Sequence, residues 1–303
     1  MNDLIEFEEK PAPGKFMIAG WHQWADAGDV SSGLPQYLIE HTGAKKIGQI
    51  KPNAFYLFQI PGTHHLLRPE VKLDEGYPKE LKSEKNDFFY SGDDTQGFLI
   101  FYGQEPHQNE EWYAKAFLDA IEALGVKRVA AVAGVYGAMP YDKDRRISCV
   151  YSLPEMKDEL TEYAVSFSNY KGGATISMYL ADKAKLRGIE FFRFCAFVPS
   201  YNFSQVSTLI QPIAIEEDFK AWYDLMTRLN HMFGLNMDLS DLEKQSNDLI
   251  SEWDAKIDQI ARTMPQLRVR DYMEKVNSEF SEMSFEPLSD IWEDALGHLF
   301  DDT

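Results

Sequence analysis

The hydrophobic period changes once along this chain, and that change constrains the fold more than any single motif. In the first two-thirds, apolar runs of strand length at residues 16–20, 53–59, 88–90, 98–102, 128–134 and 190–197 alternate with helical patterns at 27–40, 110–124, 155–163 and 174–187. Strands interleaved with helices predict βαβ units and a largely parallel sheet covered on both faces. From about Glu216 the period is helical only. Phe219, Trp222, Tyr223, Met226 and Leu229 share one face, residues 242–260 repeat the pattern behind a cap at Asp238 or Ser240, and a third helix runs over 267–280 after Pro265. The expected organisation is an α/β core over residues 1–213 and a helical C-terminal extension over 214–303. Residues 61–78, rich in proline and charge, read as a surface excursion. A last amphipathic helix is expected near the C-terminus, with Leu288, Ile291, Trp292, Leu296 and Leu299 at helical spacing behind Ser289.

Charge narrows the function. Lysine and arginine number 30 against 49 acids, a net charge of −19. So acidic a surface repels phosphate backbones, and no nucleic-acid partner is expected. Hydrophobic residues make up 44% of 303, enough for a sizeable core. The longest apolar run, at residues 129–139, contains two glycines. It falls short of the roughly 18–20 residues that a membrane span requires. Asp3, Glu6, Glu8 and Glu9 give the N-terminus the wrong charge for a secretory leader. The expectation is a cytoplasmic protein with no membrane partner. Cys149 and Cys195 are the only cysteines and are widely separated, so neither a disulfide nor a cysteine-rich zinc site is expected. His22, His64, His65 and His107 lack the helical spacing of metal ligands, so no metal is assigned.

Candidate chemistry gathers at three joints on what would be the carboxyl edge of the sheet, where open α/β sheets bind ligands. The first, AGWHQWADAG, carries Gly20, Trp21, Asp26 and Gly28. A strand, a polar turn and a helix start can hold an anion on backbone N–H groups. Neither a P-loop nor a Gly-x-Gly-x-x-Gly pattern is present, however, and Asp26 suits an N-cap. The second joint, GQEPH, offers Gln104, Glu105 and His107 either as an acid/base group or as a turn into the next helix. Glu105 would sit near that helix's positive end, while no carboxylate is fixed beside His107 by spacing. In the third, YKGGAT, Lys171, Gly172, Gly173 and Thr175 make either an anion cradle or a turn capped by Thr175. No serine lies in a nucleophile elbow, and Cys195 reads as a core residue. No catalytic residue and no cofactor is assigned.

The ordered set AGW…ADAG, GQEP…W, GVYGAMP, YKGGATISMYL and AFVPSYN, followed by a helical third, resembles the PAC2 (proteasome assembly chaperone 2) family over residues 16–282. The resemblance implies a three-layer α/β/α core of the phosphorylase/hydrolase-like type with a helical C-terminal extension. It also implies homo- or hetero-oligomers and, in eukaryotic and some archaeal members, a role in building the proteasome α-ring. Bacterial and archaeal members of this length often carry an ATP-grasp-like label. Two motifs depart from the family pattern. Gly172, Gly173, Ala174 and Thr175 stand where Gly-Pro-Thr-Gly is usual, and Val198, Pro199, Ser200 and Tyr201 replace Val-Pro-His-Tyr. The chain ends Asp301, Asp302, Thr303, where members that dock on the α-ring tend to end in a hydrophobic–Tyr–any tail.

The function expected from these features is a non-catalytic assembly or interaction protein, homo-oligomeric and acting on a protein client. With 20 Phe, 15 Tyr and 6 Trp, the chain carries more aromatic surface than one core holds, and aromatics favour interface centres. The alternative is a binder or enzyme for a nucleoside- or phosphate-containing small molecule at the carboxyl-edge residues named above.

Overall fold

The computed structural model describes residues 4–8, 16–52, 55–59, 68–82, 84–93, 97–203 and 212–285. The strands are β1 (Ile5–Phe7), β2 (Phe16–His22), β3 (Lys45–Ile50), β4 (Val71–Asp74), β5 (Tyr77–Leu81), β6 (Asn86–Gly92), β7 (Gly97–Gln104), β8 (Arg128–Gly137), β9 (Ile147–Tyr151), β10 (Ser166–Phe167), β11 (Glu190–Tyr201) and β12 (Ile213–Ala214). The α-helices are α1 (Gly33–Thr42), α2 (Glu110–Ala123), α3 (Lys157–Thr161), α4 (Ile176–Lys185), α5 (Phe219–Phe233), α6 (Ser240–Thr263) and α7 (Val269–Glu279). The C-terminal helix expected at 288–299, and His64 and His65, lie outside the described residues.

One sheet of ten strands runs in the order β1-β3-β6-β7-β2-β8-β11-β9-β10, with β12 paired to the end of β11. Its centre, β7-β2-β8-β11, is parallel. The flanks are not: β6 runs antiparallel to β7, β3 to β6, and β9 to β11. The sheet is therefore mixed, which corrects the expectation of a largely parallel one. For the β6–β7 pair the reason is connection length. Parallel neighbours need a crossover of a dozen or more residues, and only a short link joins β6 to β7.

Strand β11 shows why both faces are buried. Phe192, Phe194, Ala196 and Val198 point to one side, Phe191 and Cys195 to the other, and all are buried. On the first side they pack with Ile18, Ile100 and Val132 under Leu34 and Leu38 of α1 and Trp222, Leu225 and Leu229 of α5, with Trp253 of α6 beyond. On the second side Met17, Leu99, Phe101 and Val129 lie under Phe117 and Ile121 of α2 and Leu180 of α4. This is a three-layer α/β/α arrangement in which the C-terminal helices supply much of one layer. One side-chain cap fixes a helix position there: Asp218 accepts the Ala221 N–H at 3.0 Å at the start of α5. The cap expected for α6 at Asp238 or Ser240 is not formed; Leu239 holds that position, and Asp238 only accepts the Ser240 N–H at 2.9 Å in the turn before it. Among the described residues, no helix is long and apolar enough to cross a membrane.

Two further expectations shift. Residues 55–59 form no strand; the strand of that region is β3, upstream, where Ile47 and Ile50 are buried. Phe55 is buried all the same: its ring packs edge-on against Tyr113, with centroids 5.1 Å apart, and its carbonyl accepts the N–H groups of His107 and Gln108 at 2.9 and 3.2 Å. Within the surface excursion, β4 and β5 form a separate two-stranded ribbon.

Candidate functional site

Strands β2 and β7 are parallel neighbours that send their chains to opposite faces, β2 to α1 and β7 to α2. Such a divergence opens a crevice at the carboxyl edge. His22 and Gln104 span it, with Nδ1 and Oε1 3.2 Å apart, and the Glu105 N–H donates to the His22 carbonyl at 3.2 Å.

The turn after β2 is held in an unusual conformation. Gln23, Ala25 and Asp29 have φ of 104°, 57° and 49° without being glycine, and Gly28 has φ of 67°. Positive φ at non-glycine residues persists only where the surroundings over-determine it. Here Gly134 donates its N–H to the Ala25 carbonyl at 2.8 Å, and Asp29 donates to that of Asp26 at 3.1 Å. Asp26 Oδ1 accepts the N–H groups of Ser31 and Ser32, both at 2.8 Å, which anchors the approach to α1. Burial raises its pKa, against the lowering effect of those two bonds.

The glycines of this joint serve packing. A Cβ at Gly20 would lie 1.9 Å from the Ser31 carbonyl oxygen, so the strand and the turn approach more closely than any side chain permits. The Gly28 carbonyl accepts the Trp222 indole N–H at 3.0 Å and the Asp218 N–H at 2.9 Å, which makes it a docking point for α5. Trp21 is buried, its indole N–H donated to the Tyr113 hydroxyl at 2.8 Å and its backbone N–H to the Ser31 hydroxyl at 2.9 Å. It belongs to the core beneath the edge.

At the second joint, Glu105 reaches across to α4. Its Oε1 accepts the Ile176 N–H at 2.6 Å, so an internal carboxylate sits at the positive end of that helix. Burial raises the Glu105 pKa, while the Ile176 bond and the Arg193 charge pull it down. His107 accepts the Leu57 N–H on Nδ1 at 3.3 Å, with the Gln23 amide 3.1 Å from Nε2. Burial lowers its pKa. With Nδ1 accepting, the proton of the neutral ring belongs on Nε2, and Gln23 then offers its oxygen.

At the third joint, Thr175 is buried and caps α4, its hydroxyl accepting the Met178 N–H at 3.2 Å. Lys171, Gly172 and Gly173 are exposed. A Cβ at Gly173 would meet nothing within 4 Å, and one at Gly172 would meet the ring of neighbouring Tyr170. The structure thus links Gln23 with His107 and Glu105 with α4, while Lys171 to Gly173 stand apart from those contacts.

Sequence reasoning passed over what the edge presents to solvent. Trp24, 64% exposed, and Tyr136, 52% exposed, line an open cleft of about 350 Å³ with Gln23, Asp26 and Gly134. Burial, and then the carboxylates of Asp29, Glu216 and Asp26, raise the Tyr136 pKa, so negative charge surrounds this phenol. An aromatic at the tip of a strand-to-helix turn, and another in the GVYG strand end, were the available signals.

A three-layer α/β/α protein with a mixed sheet, C-terminal helices on one face and an aromatic cleft at its carboxyl edge is the class so defined. The chain belongs to the PAC2 family, whose model matches residues 21–261. Similar solved structures include a PAC2 family protein from Streptomyces avermitilis, 21% identical with a TM-score of 0.67, the match covering 85% of this chain and 98% of that one. A proteasome-assembly chaperone homologue of Mycobacterium tuberculosis is 19% identical with a TM-score of 0.66, over 82% and 95% of the two chains. An archaeal proteasome activator of Pyrococcus furiosus is 18% identical with a TM-score of 0.58, over 84% and 98%. No curated protein matches the sequence significantly.

Proposed function

We propose that this PAC2 family member is a non-catalytic assembly protein that associates with copies of itself and holds a protein client at the Trp24–Tyr136 cleft. The observation that carries the reading is the division of labour at the carboxyl edge. Asp26, Glu105 and Thr175 hold loops and helix starts, and His107 joins two turns, whereas Trp24 and Tyr136 face solvent. Exposed aromatics beside a cleft are a recognition surface for a partner. The carboxylates around Tyr136 favour a client segment that brings a lysine or arginine over these rings. Two of the similar structures, a proteasome-assembly chaperone homologue and an archaeal proteasome activator, make proteasome subunits the first clients to try. The phosphate-binding alternative is less favoured, because the Glu105 carboxylate already takes the Ile176 N–H at the start of α4.

The test is site-specific photo-crosslinking from position 24 in the host cell, followed by reconstitution of the cross-linked pair from purified components. One predominant protein that rebinds the purified chain, and no longer binds after Trp24→Ala with Tyr136→Ala, supports the reading. A purified chain that binds nucleotides or phosphate in a thermal-shift panel, with no protein cross-linked from position 24, overturns it.

A further inference from the structure

The β4–β5 ribbon is unusual in a protein with so large a core. All nine residues of its two strands are exposed. Val71 pairs with Leu81 and Leu73 with Pro78, so these side chains share one face of the ribbon. Three of them, Val71, Leu73 and Leu81, are 49%, 56% and 63% exposed. An isolated two-stranded ribbon is marginal in water, and an antiparallel ribbon with one apolar face normally rests that face on something. Its own body does not fill this role. A cleft of about 610 Å³ separates the ribbon from the end of β7, with Leu81 and Lys82 on one wall and Tyr102 and Gln104 on the other.

Charge selects the occupant. Between Arg68 and Lys82 lie four basic and four acidic side chains, so the ribbon is neutral and the net charge of −19 belongs to the rest of the chain. The ribbon's charges are matched internally as well. Lys79 pairs with Asp74 at 3.0 Å and Lys82 with Glu70 at 2.7 Å. Two copies of so acidic a chain repel each other across most of their surfaces. At the ribbon they meet without that repulsion, apolar face to apolar face, in the self-complementary contact that two-fold symmetry requires.

We infer that the β4–β5 ribbon is a self-association arm, its Val71–Leu73–Leu81 face receiving the same face of a second copy. The inference rests on the self-association proposed above and names the surface responsible. Because the three side chains are exposed in the single chain, changing them leaves its core intact.

Sedimentation velocity on the full chain, across a wide concentration range, tests the assignment with two variants. One carries Leu73→Lys and Leu81→Lys; the other replaces residues 71–81 with a short Gly-Ser linker. The expected result is a parent of at least twice 34.8 kDa and two variants at 34.8 kDa with an unchanged thermal midpoint. A parent that stays at 34.8 kDa refutes self-association and the arm together, leaving the ribbon to some other partner. An oligomeric parent whose two variants keep its mass leaves self-association standing and overturns the arm.

Discussion

Arg145 and Asp218 meet with neither side chain exposed to solvent, Nε 2.8 Å from Oδ2 and Nη2 3.0 Å from Oδ1. The pair joins three parts of the fold. Arg145, in the loop after β8, also donates through Nη1 to the carbonyls of Tyr141 and Lys143 at 3.0 and 2.8 Å. Asp218 caps α5, and its own N–H donates to the Gly28 carbonyl in the turn after β2 at 2.9 Å. The clamp thus ties the C-terminal helical layer to the turn that begins at Trp24 and to the loop that follows Tyr136.

Asp218→Ala should be severe. It leaves a buried guanidinium without its counter-ion, a loss of about 3–5 kcal/mol, and removes an N-cap worth about 1 kcal/mol. Arg145→Met combined with Asp218→Leu should cost less than Asp218→Ala alone, because no orphan charge remains. Urea unfolding of the three proteins decides it. A single variant no more than about 1 kcal/mol below the parent would mean that the pair is not a clamp.

The glycines of the first and third joints should behave oppositely. Gly20→Ala drives a methyl to 1.9 Å from the Ser31 carbonyl oxygen, a backbone atom that cannot simply rotate away. A loss of at least the usual overpacking cost, about 1–3 kcal/mol, is expected. Gly173→Ala meets nothing within 4 Å and has no positive φ to relieve. Its stability should stay within about 0.5 kcal/mol of the parent, as for ordinary surface changes. Thermal melts of the two variants provide the comparison, and equal losses would contradict the packing described.

How much of this was legible in the sequence follows from where the information lies. The helices α2, α4 and α5 announced themselves because apolar residues recur within each at helical spacing, as Trp222, Met226 and Leu229 do in α5. The strands β2, β7 and β11 did so because Ile18, Ile100 and Phe194 sit in apolar runs. Strand β9 was missed: it is short, and the buried Ile147 and Cys149 alternate with Ser148, too brief a pattern to stand out. The edge was harder. Asp26 reads as an N-cap in the sequence but makes no capping bond; its carboxylate takes the N–H groups of Ser31 and Ser32, five and six positions on, and the bond from Glu105 to Ile176 spans 71 positions, so neither follows from a spacing rule. The exposure of Trp24 likewise depends on the positive φ of Gln23 and Ala25, which the residue types themselves disfavour.

The two cysteines should be silent toward thiol reagents in the folded protein. Cys149 and Cys195 are buried and free, and their side chains leave the sheet on opposite faces. Burial pushes the Cys149 thiol up to about 12 and raises that of Cys195, outweighing the Arg193 charge that favours both thiolates. The thiolate is the reactive form, so labelling at neutral pH waits on unfolding. Ellman's reagent should report no thiol before denaturant and two after it. Rapid labelling of native protein would show that one of these strands is open to solvent.

The last expectation concerns the sign of a pH effect at His107. Its Nδ1 accepts the Leu57 N–H, and burial holds its pKa below the ordinary value near 6.5. A second proton would set an N–H against an N–H, so the folded state binds fewer protons here than the unfolded chain does. Stability linked to this group is therefore complete above about pH 6.5 and is lost as pH falls through the lowered folded value. Asp26 and Glu105, whose pKa values are raised, act in the opposite direction, their folded states binding protons more readily as pH falls. Comparison of the parent with His107→Gln isolates the histidine. Between about pH 7.5 and about pH 5.5 the parent should lose more urea resistance than the variant. The ring protons of His107, assigned in NMR spectra by their absence from the variant, should titrate below about 6.5. A midpoint above that value, or a variant that loses more stability than the parent on acidification, would mean that His107 is charged in the fold and that Nδ1 does not accept the Leu57 N–H.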